Sequence, residues 1–343
     1  MDRRRFVGQG ALGLASLLMA GRGGGAERLQ EKPSALIDAQ KPLSCLAFGS
    51  CNRSLLDQSY WKLIAREQPD LWVWLGDTIY ADGALPDQRR AMFQDLFRNP
   101  HYTRFRQQVP IIGTWDDHDF AGDNQDGRFR DKLASKNSLL EFLEIPEDHP
   151  VWGHQGVYQS YSYGPQGQKT QVILLDLRFN MDRQKNVHSL LGDLQWAWLE
   201  AELKESDADL IVIGSSLNVL SPVNGLGLEG WHGFRQDKAR LLELLSACGK
   251  PTVLLSGDRH FAEFAATRLS NGLPVYEIMS SGLTHALGIK LPHSERIGEM
   301  VGLKNFGLVH ISWETNGPKI TLELRSTERY QSLQAIHAPF TEV

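Results

Sequence analysis

Leu71-Trp72-Val73-Trp74-Leu75-Gly76-Asp77-Thr78-Ile79-Tyr80-Ala81-Asp82 is the stretch on which the fold turns. Five successive apolar residues read as a strand buried on both faces, as in the sheets of α/β proteins. Gly76 permits a tight turn, and Asp77 then stands beyond the carboxyl end of the strand. The pattern recurs along the chain. Leu43–Phe48 runs into Gly49-Ser50-Cys51-Asn52, and Val109–Thr114 into Trp115-Asp116-Asp117-His118-Asp119. Val172–Leu175 ends in Asp176-Leu177-Arg178, and Leu210–Ile213 in Gly214-Ser215-Ser216. Thr252–Leu255 leads to Ser256-Gly257-Asp258-Arg259-His260, and Val275–Met279 to Ser280-Ser281-Gly282.

Helical periodicity separates several of these strands, at Tyr60–Glu67, Asp87–Phe97, Asp131–Leu143, Asp193–Glu205 and Phe234–Ala247. Strands alternating with helices predict an α/β sheet, in which ligands bind beyond the carboxyl ends of the strands. Two stretches depart from the alternation. Gly156–Asp176, with a Gly-Pro-Gln-Gly turn, and Phe306–Arg325, with Asn316-Gly317, read as antiparallel hairpins at the sheet edges.

The net charge of -5 gives no basic footprint for nucleic acid. Three cysteines, Cys45, Cys51 and Cys248, make no disulfide framework. At the N-terminus, Arg3, Arg4 and Arg5 precede Phe6 and an apolar run from Ala11 to Ala20, too short for a membrane span. With the small residues Gly24-Gly25-Ala26 after it, this reads as a twin-arginine export signal. The expected organisation is a signal peptide over 1–26, a polar lead-in over 27–42 and one catalytic domain over 43–343. The protein is then periplasmic or extracellular, with no transmembrane anchor in the mature chain.

The strand ends carry the chemistry. A lone carboxylate at Asp77 can bridge two cations, as a two-metal hydrolase requires. Tyr80 is either a phenolate ligand or a rim aromatic. Asp116, Asp117 and Asp119 around His118 repel one another unless cations or arginines neutralise them. Asn124 offers an oxygen to a hard cation such as calcium. Asp258 and His260 can face one rim, and with Asp77 and Asp117 they form the mixed O and N set that suits iron, manganese, zinc or calcium. Cys51, at a strand end, is a soft metal ligand or, alternatively, a nucleophile, although no Cys-His-Asn set accompanies it; Cys45 reads as packing. Arg178 is a bidentate phosphate clamp or the partner of Asp176 or another carboxylate. His232 and His285 line the pocket or belong to structural loops.

This ordered set, from Gly49-Ser50-Cys51 to Gly257-Asp258-Arg259-His260, resembles the alkaline phosphatase D (PhoD-like) family over about residues 43–325. The family belongs to the calcineurin-like metallophosphoesterases, so the resemblance implies a four-layer α/β/β/α sandwich with edge hairpins. It implies that Cys51, Asp77, Tyr80 and His260 hold Fe3+ and that Asp77, Asn124 and Asp258 hold Ca2+, with Asp117 close by. Zinc or manganese are the alternative metals. His118 and Arg178 would contact phosphate, and His118 would protonate the leaving group. The implied activity is hydrolysis of phosphomonoesters or phosphodiesters, small-molecule or lipid, by a metal-activated water. The alternatives are a phospholipase-like phosphodiesterase and a non-catalytic metal- or phosphate-binding envelope protein on the same scaffold.

Replacing both Arg3 and Arg4 with lysine is expected to leave the uncleaved precursor in the cytoplasm, as read by cell fractionation. Envelope delivery at the wild-type level would rule out a twin-arginine signal.

Overall fold

The computed structural model describes residues 39–184, 188–222, 229–288 and 291–340. The expected signal peptide and most of the lead-in lie outside the described residues. Two sheets pack face to face. The first has the order β13-β12-β11-β1-β2-β3, from β1 (Cys45–Gly49), β2 (Leu71–Leu75), β3 (Ile111–Thr114), β11 (Asn305–Glu314), β12 (Gly317–Ser326) and β13 (Ser332–Ala338). The second has the order β10-β8-β9-β7-β6-β5-β4. Its strands are β4 (Gln159–Tyr163), β5 (Thr170–Leu174), β6 (Leu210–Gly214), β7 (Thr252–Ser256), β8 (Ala262–Arg268), β9 (Pro274–Ser280) and β10 (Arg296–Val301).

The apolar runs are explained by burial on both faces. Along β2, Leu71, Val73 and Leu75 enter the core between the sheets, while Trp72 and Trp74 enter a separate core beneath helices. That outer core is closed by α1 (Trp61–Arg66), α2 (Pro86–Arg98), α3 (Pro100–Arg106) and α5 (Lys132–Phe142). In the second sheet, Leu210 and Val212 face the first sheet. Ile211 and Ile213 face α6 (Gly192–Glu205) and α7 (Arg235–Cys248). The result is the expected α/β/β/α layering.

The strands that end in candidate ligands run parallel. β1, β2 and β3 are parallel neighbours in one sheet, and β5, β6, β7 and β9 in the other. Their carboxyl ends therefore open on a common rim. Two glycines allow the turns there to approach closely. A Cβ on Gly76, at φ +86°, would stand 2.4 Å from Asp116 Cβ, and one on Gly257 would stand 2.4 Å from Ser50 Oγ. The second contact joins a β1 turn to a β7 turn, one from each sheet.

Both hairpins form, β4 with β5 and β11 with β12. The second is not at an edge, because β13 pairs with β12 and covers it. The acidic stretch after β3 forms one helical turn, α4 (Asp117–Phe120). β8 begins directly after the Asp258-Arg259-His260 turn. Among the described residues no helix is long and apolar enough to cross a membrane.

Asp70 ties the start of β1 to β2. Its carboxylate accepts hydrogen bonds from Ser44 N, Ser44 Oγ and Cys45 N at 2.7–3.0 Å and pairs with Lys41 Nζ at 2.6 Å. Burial works to raise its pKa, but these donors outweigh it and hold the group below its ordinary value. Its contribution to stability is therefore present above the unfolded carboxylate pKa of about 3.9 and fades as pH falls through the lower folded value. Asp70→Asn is expected to cost about 1 kcal/mol at pH 7, allowing for solvent screening of the lysine pair. In urea melts, the gap from wild type should close below about pH 4.

Candidate metal centre

The turn after β1 carries Cys51, the turn after β2 carries Asp77 and Tyr80, and α4 carries Asp117 and His118. The turn after β7 brings Asp258 and His260 from the other sheet. Three groups of side chains each have ligand atoms within 4.8 Å of one another: Cys51, Asp77 and His260; Asp77, Asp117 and His118; and Asp116, Asp117 and Asp258. Asp77 belongs to the first two and Asp117 to the last two, so the groups form one chain.

The local backbone is strained to make this possible. Eight described non-glycine residues have positive φ, and five of them are the sequence candidates Cys51, Asp77, Asn124, Asp258 and His260. Such conformations are uncommon for residues with a Cβ and collect at functional sites.

On the Cys51 side, Sγ lies 3.4 Å from Asp77 Oδ2 and 3.0 Å from Ser281 Oγ. Tyr80 donates its hydroxyl to Asp77 Oδ2 at 3.4 Å and lies 3.1 Å from His260 Nε2. His285 joins this group, its Nε2 being 3.1 Å from the Tyr80 hydroxyl and 3.3 Å from His260 Nε2. Burial, with neighbouring His118 and Arg53, pushes His260 down to about 4. Burial, His260 and Arg53 push His285 down to about 3. Both imidazoles are thus neutral at pH 7, the form that binds metals.

On the carboxylate side, burial and mutual repulsion hold Asp77 and Asp258 well above the usual range. Burial also raises Asp116 despite Arg178. Asp117 alone is lowered, its burial outweighed by Arg178, His118 and the Asn124 amide, which donates to Oδ2 at 2.6 Å. Asp119 does not join the cluster. Pushed up to about 7 by burial, it accepts from Ile79 N and Asp116 N and ties the β2 turn to the β3 turn.

Arg178 is fully buried. Its Nε donates to Asp116 Oδ1 at 2.5 Å, its Nη1 pairs with Glu229 Oε2 at 2.7 Å and its Nη2 stands 3.6 Å from Asp117 Oδ1. The carboxylate pairing left open by the sequence is present, but with Asp116 rather than Asp176. Asp176 accepts instead from the amides of Val157, Arg178 and Phe179.

His118 is half-buried at the edge of the cluster. Its Nδ1 lies 2.7 Å from Asp82 Oδ1, and its ring centroid is 4.1 Å from that of Tyr80. The sequence reading passed over Asp82, although it lies in the opening stretch and a working histidine commonly needs a carboxylate to fix its tautomer. Ser281 is marked only as part of the polar end after Val275–Met279, and Glu229 by no local pattern.

The residues fit bound cations. Asp77 Oδ1, Asp116 Oδ2 and Asp117 Oδ1 are buried without a hydrogen-bond partner. Four carboxylates converge where, among the described residues, Arg178 is the one guanidinium in direct contact. Unpaired oxygens and excess negative charge in a buried space call for cations.

Fold and site together define a metallophosphoesterase-like protein. The model of the PhoD-like phosphatase family matches residues 44–295, and the chain belongs to that family. Among solved structures, PhoD aligns with a TM-score of 0.65 at 16% identity, covering 89% of this chain and 73% of that one. GAP50, the anchor in the inner membrane complex of Plasmodium, aligns with a TM-score of 0.59 at 14% identity, covering 88% and 90%. Comparison with curated protein sequences gave no match.

Asp77→Asn is expected to lower bound metal and cut turnover by at least about 100-fold, the scale of a lost transition-state contact. Because it also relieves repulsion, the chelator-treated variant should melt no lower than chelator-treated wild type. Normal metal content in the variant would remove Asp77 from the ligand set.

Proposed function

We propose that this PhoD-like phosphatase hydrolyses phosphomonoesters or phosphodiesters at the centre built on Asp77. The observation that carries the reading is the chain of three ligand groups joined by Asp77 and Asp117. Cys51, Asp77, Tyr80 and His260 would hold a ferric ion, since thiolate, phenolate and imidazole favour a transition metal. Asp77, Asn124 and Asp258 would hold calcium, with Asp117 beside it. Bound cations would lower the pKa of an attacking water and offset charge on the phosphoryl oxygens.

The chain's own residues do the rest. Asp82 accepts from Nδ1–H of His118 and so aims Nε2 at the substrate, and a doubly protonated ring would serve as the acid. As water forms the new P–O bond, releasing its proton to solvent, and the ester bond breaks, His118 gives its Nε2 proton to the departing oxygen and is left neutral. Arg178, committed to Asp116 and Glu229, keeps the carboxylates in register and acts as a positioning residue. The apolar layers behind the rim exclude water from the back of the site.

The alternative, a non-catalytic metal- or phosphate-binding protein on the same scaffold, would keep the ligands but has no use for a proton donor beside them, and the His118–Asp82 pair therefore favours catalysis. Delivery to the periplasm or cell exterior by the twin-arginine route belongs to the same proposal, since that route carries folded, metal-loaded proteins.

The test is turnover of an aryl phosphate and its bis-aryl diester by protein loaded with iron and calcium. Both substrates or one should be cleaved, and the protein should be coloured by tyrosinate-to-iron charge transfer. Tyr80→Phe should weaken or shift that band, and Cys51→Ser should perturb it separately. A colourless, fully active protein holding only zinc or magnesium would refute the ferric site. Failure on every phosphate ester with full metal occupancy would refute the phosphoesterase reading.

A further inference from the structure

A site that holds several carboxylates still has to attract a phosphate ester, and so needs a cation at its mouth. Arg178 cannot meet substrate as it stands, because it has no exposed surface and is committed to Asp116 and Glu229. Arg259 is also buried, and it donates to the Glu229 carbonyl and to Ser221 Oγ. Arg183 pairs with Glu229, and Lys304 with Glu328.

Arg53 is different. It is exposed, and among the described residues it takes part in no ion pair. It stands two positions after Cys51, and its backbone is pinned: Arg53 N donates to Thr284 Oγ1 at 2.9 Å, and Thr284 Oγ1 donates to the Cys51 carbonyl at 3.2 Å. Its guanidinium carbon lies 5.2 Å from the centroid of the Tyr80 ring. That ring also packs on His118 and carries the hydroxyl beside His260 and His285. A cation resting on Tyr80 thus shares one surface with the acid His118 and with the candidate ligands.

We infer that Arg53 is the phosphate-binding arginine of this protein, gripping the non-bridging oxygens of the ester from the mouth of the site. The inference rests on the phosphoesterase reading and adds to it the group that recognises substrate. A guanidinium offers a planar fork matched to two phosphoryl oxygens. Stacking on Tyr80 pre-orients that fork, so less side-chain freedom is lost on binding. Because the grip exists before and during the reaction, its loss should appear mainly in KM and in phosphate affinity rather than in kcat.

The experiment compares metal-loaded wild type, Arg53→Ala and Arg53→Lys, measuring aryl phosphate kinetics, calorimetric binding of inorganic phosphate, and metal content. Arg53→Ala is expected to raise KM and weaken inorganic phosphate about tenfold to a hundredfold, the scale of a charge-assisted contact, with metal content unchanged. Arg53→Lys should fall between, keeping the charge but losing the fork. If wild type binds phosphate and Arg53→Ala binds it equally well, the arginine assignment is overturned and the phosphoesterase reading stands. Loss of metal in Arg53→Ala would also overturn it, by making the residue structural. If metal-loaded wild type neither binds phosphate nor cleaves any ester, the phosphoesterase reading itself fails, and this assignment with it.

Discussion

Four carboxylates, Asp77, Asp116, Asp117 and Asp258, converge in a buried space where, among the described residues, one guanidinium, that of Arg178, touches them directly. Left to themselves they would move apart or take up protons, and three of the four are indeed pushed upward in pKa. What keeps them together is their attachment. Each stands at the end of a strand or turn whose apolar body is packed between layers, so the repulsion is borne by two sheets and several helices. Much of the surrounding polar structure serves the same end. Asp119 ties the β2 turn to the β3 turn, Glu229 holds the far side of Arg178, and Ser281 supports both Cys51 and His260.

Strain is the second cost of this arrangement. Cys51, Asp77, Asn124, Asp258 and His260 all have left-handed backbone conformations, each worth on the order of 1 kcal/mol or more against the chain. The conformations persist because neighbouring backbones overdetermine them. Asn52 N donates to the Asp77 carbonyl at 2.8 Å, Ala81 N to the His118 carbonyl at 3.1 Å and Gly257 N to the Ser216 carbonyl at 2.9 Å. A sequence selected only for stability would remove both the strain and the repulsion. Their joint presence at one rim marks a site kept for binding. The same two-sheet scaffold also aligns with a protein described as an anchor. Fold alone therefore does not decide activity, and the ligand geometry has to carry that part.

Strand positions and most candidate ligands were legible because both depend on short stretches of chain. A strand buried on two faces reads as a continuous apolar run, and the residue after it is at the rim whatever its partners are. Leu71–Leu75 followed by Asp77 is the plainest case. Where two elements compete for an edge, local pattern is silent: the 306–325 hairpin looked terminal because nothing in it announces that β13 will cover it. The helical turn at Asp117–Phe120 was likewise hidden, being too short for periodicity to register.

By itself, then, the sequence determined the alternation of strands and helices, the identity of the residues after each strand and the family those motifs resemble. All of these follow from nearest neighbours and from periods of two or 3.6 residues. Only the tertiary structure decided which side chains meet. His118 finds Asp82 across 36 residues, Arg178 finds Asp116 across 62 and Tyr80 finds His285 across 205. It also decided that Arg178 is buried among carboxylates while Arg53 is exposed beside Tyr80, a difference that two arginines in a sequence cannot express. The reason is physical: these contacts are fixed by how two sheets pack against each other, and packing is a property of the assembled layers rather than of any segment within them.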